Sequence, residues 1–297
     1  MEQDIKPARI ANSIMQDTRF NGHYVLVEGA QDIKIFKSFF LGDLAALKVT
    51  HGKHNMREVY DILLQRGFDK MIGIRDADFL RIPNNDKFSV DYALHIFPTD
   101  YHDAEGMVFN SPALIDFIES VTSPEKLNAF EAKNGPIVDL AYNLVYPLAC
   151  LRLANKKNDL GLSFKPKEKD GNRLKFKKFI CEKNIKYLGD DLLVNTVWEF
   201  SQNRGRDIPS RDEIKRFMNE IIYLNNDIKE MANGHDLAEA LFIICKKGLG
   251  SQSKLLVDAG CIEDLLFLAY EANYFKVTGL FERINEWENK SGLRLVI

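Results

Sequence analysis

The chain has 297 residues, 45% of them hydrophobic, and a formal net charge of -3 at pH 7. This length and composition suffice for one large packed domain or two modest ones. No run of eighteen apolar residues and no basic-then-apolar leader is found, which predicts neither a membrane span nor a secretory signal. The four cysteines lie in apolar stretches without CxxC spacing, so we expect reduced thiols and a cytoplasmic protein.

Strand and helix patterns alternate through the first third of the chain. Strands are predicted at 23–28, 46–50, 70–76 and 93–100, and helices at 32–41 and 55–67. Strands joined by short helical connections predict a parallel sheet flanked by helices. The fold class is therefore α/β in this part of the chain.

Strand patterns stop after about residue 105, and helical patterns follow. Ser123-Pro124 predicts a helix start that leads to an end near Gly135, and Ser210 with Glu213 forms a capping-box pair. Further helices are predicted at 136–155, 236–247, 262–275 and 278–290. We therefore predict a catalytic α/β domain over 1–120 and a mostly α-helical domain over 121–297.

Acidic residues follow the predicted strands in a regular way. Glu28 ends the first strand, Asp76 and Asp78 end the third, and Glu105 follows the fourth. The carboxyl ends of parallel strands form the functional edge of such sheets. Carboxylates gathered there repel one another, and a hard cation such as Mg²⁺ or Mn²⁺ (one or two ions) relieves that repulsion. The sequence thus predicts a metal site.

The roles of Asp32 and Arg75 depend on the local geometry. Asp32, in the first turn after Glu28, is either a further ligand or a helix cap. Asp76 and Asp78 project to the same side if the chain stays extended, which would place Arg75 on the opposite face.

A basic segment spans 155–187. It holds eleven Lys and Arg against four acids, a net charge of +7, whereas the remainder of the chain carries -10. Phenylalanines are interleaved with the lysines, a pattern that suits contact with phosphates and bases; a solvated connector with inward-facing phenylalanines is the alternative. The predicted nucleic-acid contacts are Lys165, Lys167, Lys169, Arg173, Lys175, Lys177 and Lys178.

Two motifs together resemble a known family. VLVEGAQD (25–32) followed by IGIRDADF (72–79) is similar to the TOPRIM domain, in which a glutamate follows the first strand and a DxD the third. Glu28, Asp76 and Asp78 match these positions, and Asp32 matches the EGxxD form of the OLD-type nuclease branch. HGKHN (51–55) resembles the Gly-Lys turn of that branch, which puts Lys53 forward as a phosphate contact.

The segments PTDYHDAEGM and GHDLAEAL resemble a TOPRIM-like subfamily of stand-alone effectors encoded beside an ABC-type ATPase. The resemblance implies a metal-dependent endonuclease of anti-phage defence that the partner ATPase holds inactive until a phage trigger. It further implies a homodimer when active and host tRNA as substrate. On this basis Glu28, Asp76, Asp78 and Lys53 are the expected catalytic residues, and His235 is a possible late contributor.

Other functional classes remain open from the sequence. A TOPRIM-fold DNA nuclease would use the same residues, and a regulatory nucleic-acid-binding subunit would keep the shape without the chemistry. A DxD motif also occurs in metal-dependent glycosyltransferases, but that interpretation leaves Glu28-Gly29 unexplained. Aspartyl phosphatases carry their DxD after the first strand, whereas here it follows the third.

Overall fold

The computed structural model describes residues 6–83, 95–166, 171–202, 204 and 206–297. It divides into two compact units, unit 1 (Met1–Ala113 with Phe267–Ile297) and unit 2 (Leu114–Leu266). The regular elements, in chain order, are α1 Pro7–Met15, β1 His23–Val27, α2 Ala30–Phe36, β2 Ala45–Val49, α3 Lys53–Gln65, β3 Met71–Arg75, β4 Ile96–Pro98, α4 Ala104–Phe109, α5 Ala113–Val121, α6 Pro124–Asn134, α7 Ile137–Asn158, β5 Ile180–Cys181, β6 Lys186–Tyr187, α8 Asp190–Ser201, α9 Arg211–Leu224, α10 Gly234–Ile243, α11 Ala259–Ala269, α12 Ala272–Phe275 and α13 Gly279–Ser291.

Unit 1 contains a four-stranded sheet in the order β2-β1-β3-β4. Every neighbouring pair is parallel, which confirms the predicted parallel sheet flanked by helices. Residues 93 and 94 of the predicted fourth strand lie outside the described residues, and β4 itself is Ile96–Pro98. The mixed α/β class is thus confirmed for this part of the chain.

One face of the sheet packs against α1 and α3. Tyr24 and Leu26 alternate with Val25 along β1, so they share a face, and they join a buried cluster with Met56 and Leu63 of α3. Ile10 of α1 belongs to the same cluster. The sequence did not predict α1, although its buried residues Ile10, Ala11 and Ile14 have helical spacing.

The segment after residue 266 completes unit 1. Phe275 stacks on Phe39 with ring centroids 4.8 Å apart, and Val296 forms a β-bridge with Phe40. Arg283 Nη2 donates to Asp100 Oδ1 at 2.8 Å. The predicted boundary between residues 120 and 121 assigned this segment to the helical domain. It groups with the α/β unit instead, because its aromatic side chains are buried against that unit.

Unit 2 is built around α7. By length and composition alone α7 could cross a membrane, but 67% of its apolar stretch is buried, and it packs against α9 and α10 as a core helix does. Two predicted capping residues are confirmed, since the Ser123 hydroxyl accepts the Lys126 N–H (3.4 Å) and the Ser210 hydroxyl accepts the Glu213 N–H (3.3 Å). The short antiparallel hairpin of β5 and β6 was not predicted.

All four cysteines are free thiols, as the sequence predicted. Cys150 and Cys245 are buried, whereas Cys181 and Cys261 are partly exposed. Burial raises the pKa of the Cys150 and Cys245 thiols to about 12, so these two side chains act as small apolar groups.

A buried carboxylate fixes the last residues of unit 1. Glu288 Oε1 accepts the backbone N–H groups of Leu295 and Val296, the latter at 2.8 Å. Glu288→Ala leaves both buried donors unsatisfied, and we expect unfolding to become easier by about 2 to 4 kcal/mol. Glu288→Gln keeps one carbonyl acceptor and is expected to lose about half as much. Urea unfolding of both variants tests this, and equal losses would contradict it.

Candidate functional site

The exits of all four strands lie at one edge of the sheet. In the parallel register Val27 of β1 is level with Val49 of β2 and Ile74 of β3, and Arg75 is level with Pro98 of β4. The residues that follow these positions therefore come together. They include most of the acids that the sequence predicted to be functional.

Glu28 lies directly at the exit of β1 and is tied to both neighbouring strands. Its Oε1 accepts the Asp76 N–H at 3.1 Å. Its backbone oxygen accepts the Gly52 N–H at 2.9 Å, which fixes the turn after β2 next to the same edge. The loop after β3 thus holds the Glu28 side chain, the turn after β2 is bonded to the Glu28 backbone, and Glu28 remains half-buried.

Asp76 is surrounded by other acids. Its Oδ1 accepts the N–H of Ala104, the first residue of α4, at 3.1 Å. Burial raises its pKa well above the ordinary value, and the negative charges of Glu105, Asp103 and Glu28 raise it further. The predicted grouping of Glu28, Asp76 and Glu105 at one edge is therefore what the structure contains.

Asp103 belongs to the same group, although the sequence reasoning did not single it out. It is 3% exposed and caps α4, because its Oδ1 accepts the Gly106 N–H at 2.7 Å. The signal was present in the sequence, since Asp103 stands immediately before a helix, in the loop that follows the fourth strand. A capping role and a place in the acidic group coincide in this residue.

Asp78 departs from the extended geometry that the sequence suggested. Strand β3 ends at Arg75, and Asp78 has a φ of 50°, a left-handed conformation that is uncommon outside glycine. Its N–H donates to the His102 carbonyl at 2.6 Å, and its carboxylate forms an ion pair with Lys53. The DxD motif is thus a turn in which the second aspartate faces the β2–α3 loop.

Arg75 also differs from the prediction. It was expected on the face opposite the acids, but its Nη2 lies 3.9 Å from Asp78 Oδ2 and its Nε donates to the Asp76 carbonyl at 3.0 Å. A long side chain at the end of a strand can bend over the edge, which a simple alternation rule does not capture. Two cations, Lys53 and Arg75, therefore stand beside the acids.

The two readings of Asp32 are resolved in part. Its Oδ2 accepts the Gly29 N–H at 2.7 Å, as in a capping box, so the helix-cap interpretation is present in the structure. Burial raises the pKa of Asp32 to about 6, and the charge of Asp103 adds to this rise. Asp32 is therefore both a cap and a member of the acidic group, and a ligand role for it stays a prediction.

The donors at this edge suit a hard divalent cation by their chemistry. Burial raises the pKa of Glu28 to about 7, and the charge of Asp78 contributes to the rise, so negative charge here is under-compensated. A cation would offset it, and oxygen donors are what Mg²⁺ and Mn²⁺ prefer. In their present orientations, however, no three His, Cys, Asp or Glu side chains among the described residues converge as a ready-made metal site.

His235 lies in unit 2. Its Nδ1 is 2.6 Å from Glu263 Oε1, and the adjacent Asp236 forms a bidentate ion pair with Arg152 at 2.7 and 2.8 Å. Asp236 is 4% exposed, so this second pair is a buried structural contact. The predicted late contribution of His235 to the site stays a prediction.

The basic segment combines exposed lysines with buried rings. Phe176 and Phe179 are 6% and 1% exposed and contact each other at 5.0 Å, so these two rings face inward and do not present a stacking surface. Phe164 lies under the Arg152 guanidinium. The exposed predicted contacts are Lys165, Arg173, Lys175, Lys177 and Lys178, whereas Lys167 and Lys169 lie outside the described residues.

Comparison with known proteins adds no assignment to this geometry. No protein-family model matches the chain, and no curated protein matches its sequence.

The acidic group predicts a dependence of stability on pH. Because Glu28 binds its proton more tightly in the folded state, the unfolded chain ionises first as the pH rises from about 4.5 to about 7. The free energy of unfolding should therefore fall across this window, by up to about 3 kcal/mol from Glu28. Glu28→Gln removes the ionisation, so we expect a flatter profile.

Urea unfolding at pH 5 and pH 7.5 in the presence of EDTA measures this difference. Glu58→Gln, which neutralises an exposed carboxylate on α3, is the matched control and should follow the wild type. Identical pH profiles for wild type and Glu28→Gln would show that the fold does not raise the pKa of Glu28.

Proposed function

We propose that this chain is a metal-dependent nuclease that hydrolyses phosphodiester bonds of nucleic acid. Within that class we favour an effector of anti-phage defence with host tRNA as substrate, active as a homodimer and restrained by an ABC-type ATPase. The motifs VLVEGAQD and IGIRDADF resemble those of TOPRIM nucleases. The segments PTDYHDAEGM and GHDLAEAL resemble the subfamily that includes AriB, the effector of the PARIS system, whose partner ATPase is AriA.

One observation carries the proposal. Glu28 and Asp76 meet at the exits of neighbouring parallel strands, joined by the hydrogen bond from the Asp76 N–H to Glu28 Oε1. Lys53 and Arg75 lie beside them, and both contact the carboxylate of Asp78. Acids that repel one another, next to two cations at a sheet edge, are costly for stability. Such an arrangement is typical of sites selected for chemistry.

Each residue has a definite role in this proposal. Glu28, Asp32, Asp76, Asp78 and Glu105 supply the oxygen atoms that would hold Mg²⁺ or Mn²⁺. When bound, the cation would neutralise charge on the phosphate and lower the pKa of attacking water. Glu28 is the candidate base, because its side chain is half-exposed at the edge and already accepts a hydrogen bond there.

The two cations serve the substrate. Lys53 and Arg75 contact Asp78 in this structure, so both can exchange a carboxylate for a phosphate oxygen without rearrangement of the backbone. Fixed positive charge beside the scissile phosphate stabilises the charge that develops during transfer. The turn that presents Lys53 has His51 at a φ of 60° and Gly52 at 108°, and the Gly52 N–H donates to the Glu28 backbone oxygen at 2.9 Å, which keeps Lys53 next to the edge.

Substitution of the central acids tests the proposal. With Mg²⁺ or Mn²⁺, we expect the wild type to cleave nucleic acid, and Glu28→Gln and Asp76→Asn to lose at least about 100-fold in rate because base and ligand are removed. Glu58→Gln on the exposed face of α3 is the charge-matched control and should keep the rate. Gel assays on tRNA and on duplex DNA separate the RNA and DNA alternatives.

Two results would contradict the proposal. One is a wild type that leaves tRNA, other RNA and DNA intact with either cation, which would favour a regulatory binding subunit. The other is cleavage that survives in both Glu28→Gln and Asp76→Asn, which would place the chemistry elsewhere.

Gly29 provides a second test that separates folding from function. Its φ of -141° is open to any residue, and the nearest atom to an added Cβ is Asp32 Oδ2 at 4.0 Å. Gly29→Ala should therefore leave stability within about 1 kcal/mol of wild type. If the substrate phosphate approaches this turn, the added methyl group should lower kcat/KM by about 10-fold or more. An unchanged kcat/KM would show that the substrate does not approach Gly29.

A further inference from the structure

Unit 2 contains a cleft of about 670 Å³ that three separate segments build. These are helix α6, the tip of the β5–β6 hairpin and the turn at 244–248 that extends α10. Five lysines line it, Lys126, Lys133, Lys183, Lys186 and Lys247. All five are exposed, and no acidic residue is among the described residues that line the cleft.

The floor of the cleft is tightly packed. An added Cβ at Gly248 would lie 2.7 Å from the Phe130 ring and 3.6 Å from Ile185, so the three segments meet closely at this glycine. Gly248 ends a π-helical turn, Ile244–Gly248, a form that is rare and often occurs at functional sites. The cleft is therefore a built feature of unit 2 and not a gap between loose loops.

The hairpin tip is held in an unfavourable backbone conformation. Ile185 has a φ of 50°, which is a genuine outlier for a β-branched residue, and its side chain is 6% exposed. With Ile185 buried in the floor, its neighbours Lys183 and Lys186 face the cleft. Strain of this kind persists where the surroundings fix it and is concentrated at functional positions.

Helix α6 contributes one of its faces. Lys126, Phe130 and Lys133 are spaced by four and three residues, so they share a face, whereas Leu127 is buried on another side. Phe130 is half-buried and closes the apolar floor between the two lysines. Charge at the rim and an apolar base are thus set by the sequence of a single helix.

Five like charges in one cleft repel one another. The chain as a whole carries -3, so this concentration of positive charge does not follow from composition. None of the ion pairs found among the described residues joins one of these lysines to an acid. An anionic partner would relieve the repulsion, and it would release the counterions that the cleft otherwise holds.

We propose that this cleft binds the phosphate backbone of the substrate nucleic acid, an assignment that rests on the proposed nuclease function. The lysines are compact, hydrated point charges of the kind that contact successive phosphates. The amides of Asn134 and Asn184 line the same cleft and can donate to phosphate or sugar oxygens. Two of the five lysines, Lys183 and Lys186, come from the basic segment. The other three lie outside it, so a count of charge along the sequence does not group them with it.

A salt titration of binding tests this assignment. The protein carries Glu28→Gln and the buffer EDTA, so that the probes, a labelled tRNA and a labelled DNA duplex, are not cut. Five phosphate contacts predict a slope of log K against log salt of about -3.5 to -4.5, which is roughly a 130- to 500-fold loss of affinity between 50 and 200 mM salt. Adding Lys126→Gln, Lys133→Gln and Lys247→Gln should make the slope shallower by about 2 to 3.

Two comparison variants separate the cleft from charge in general. Lys37→Gln with Lys254→Gln and Lys276→Gln removes three exposed lysines outside the cleft and should leave the slope unchanged. Lys175→Gln with Lys177→Gln and Lys178→Gln probes the basic segment. Circular dichroism and urea unfolding confirm that each triple variant is folded.

Three outcomes would overturn the assignment. They are a slope that the cleft variant does not change, a slope that only the basic-segment variant changes, and equal competition by poly-glutamate, which would indicate an acidic protein partner. The nuclease proposal is judged separately by cleavage in Mg²⁺ with cleft lysines intact. Binding without cleavage would contradict the nuclease proposal but not the role of the cleft. Cleavage by the protein with intact cleft lysines, together with unaltered binding by the cleft variant, would contradict only the role of the cleft.

Discussion

The burial of like charges at the carboxyl ends of parallel strands is the constraint around which unit 1 is organised. The register of β1, β2 and β3 leaves no freedom in where their exits lie, so Glu28 and Asp76 are forced together. Surrounding groups offset only part of the cost, through backbone N–H groups on both acids and through Lys53 and Arg75 on Asp78. The loops after the strands are held in position by these same contacts.

The sequence alone predicted the features that depend on local residue patterns. Short apolar runs located all four strands, and hydroxyl caps located α6 and α9 to within a residue. The order of acids after strands also predicted that Glu28, Asp76 and Glu105 would gather, because parallel topology alone brings strand ends together. Periodicity and topology are short-range rules, so one chain carries enough information to apply them.

Other features depend on contacts that no local pattern encodes. The left-handed turn at Asp78 and the bend of Arg75 over the edge result from loops that meet only in the folded unit. Asp103 was overlooked because its cap role and its electrostatic role become visible together only when β3 and α4 are adjacent. The burial of Phe176 and Phe179 likewise reflects tertiary packing, which can turn an aromatic ring inward from a strongly basic stretch.

The division of the chain has a consequence for biosynthesis. Unit 1 is discontinuous, since residues 267–297 complete it with the stack of Phe275 on Phe39 and the bridge from Val296 to Phe40. During translation these partners are separated by the whole of unit 2, and closing such long-range contacts is slow. The core under the acidic edge can therefore be completed only after residues 267–297 have been synthesised. Until then a nascent chain lacks part of the packing that supports the site, so the site matures later than the synthesis of its own acidic residues.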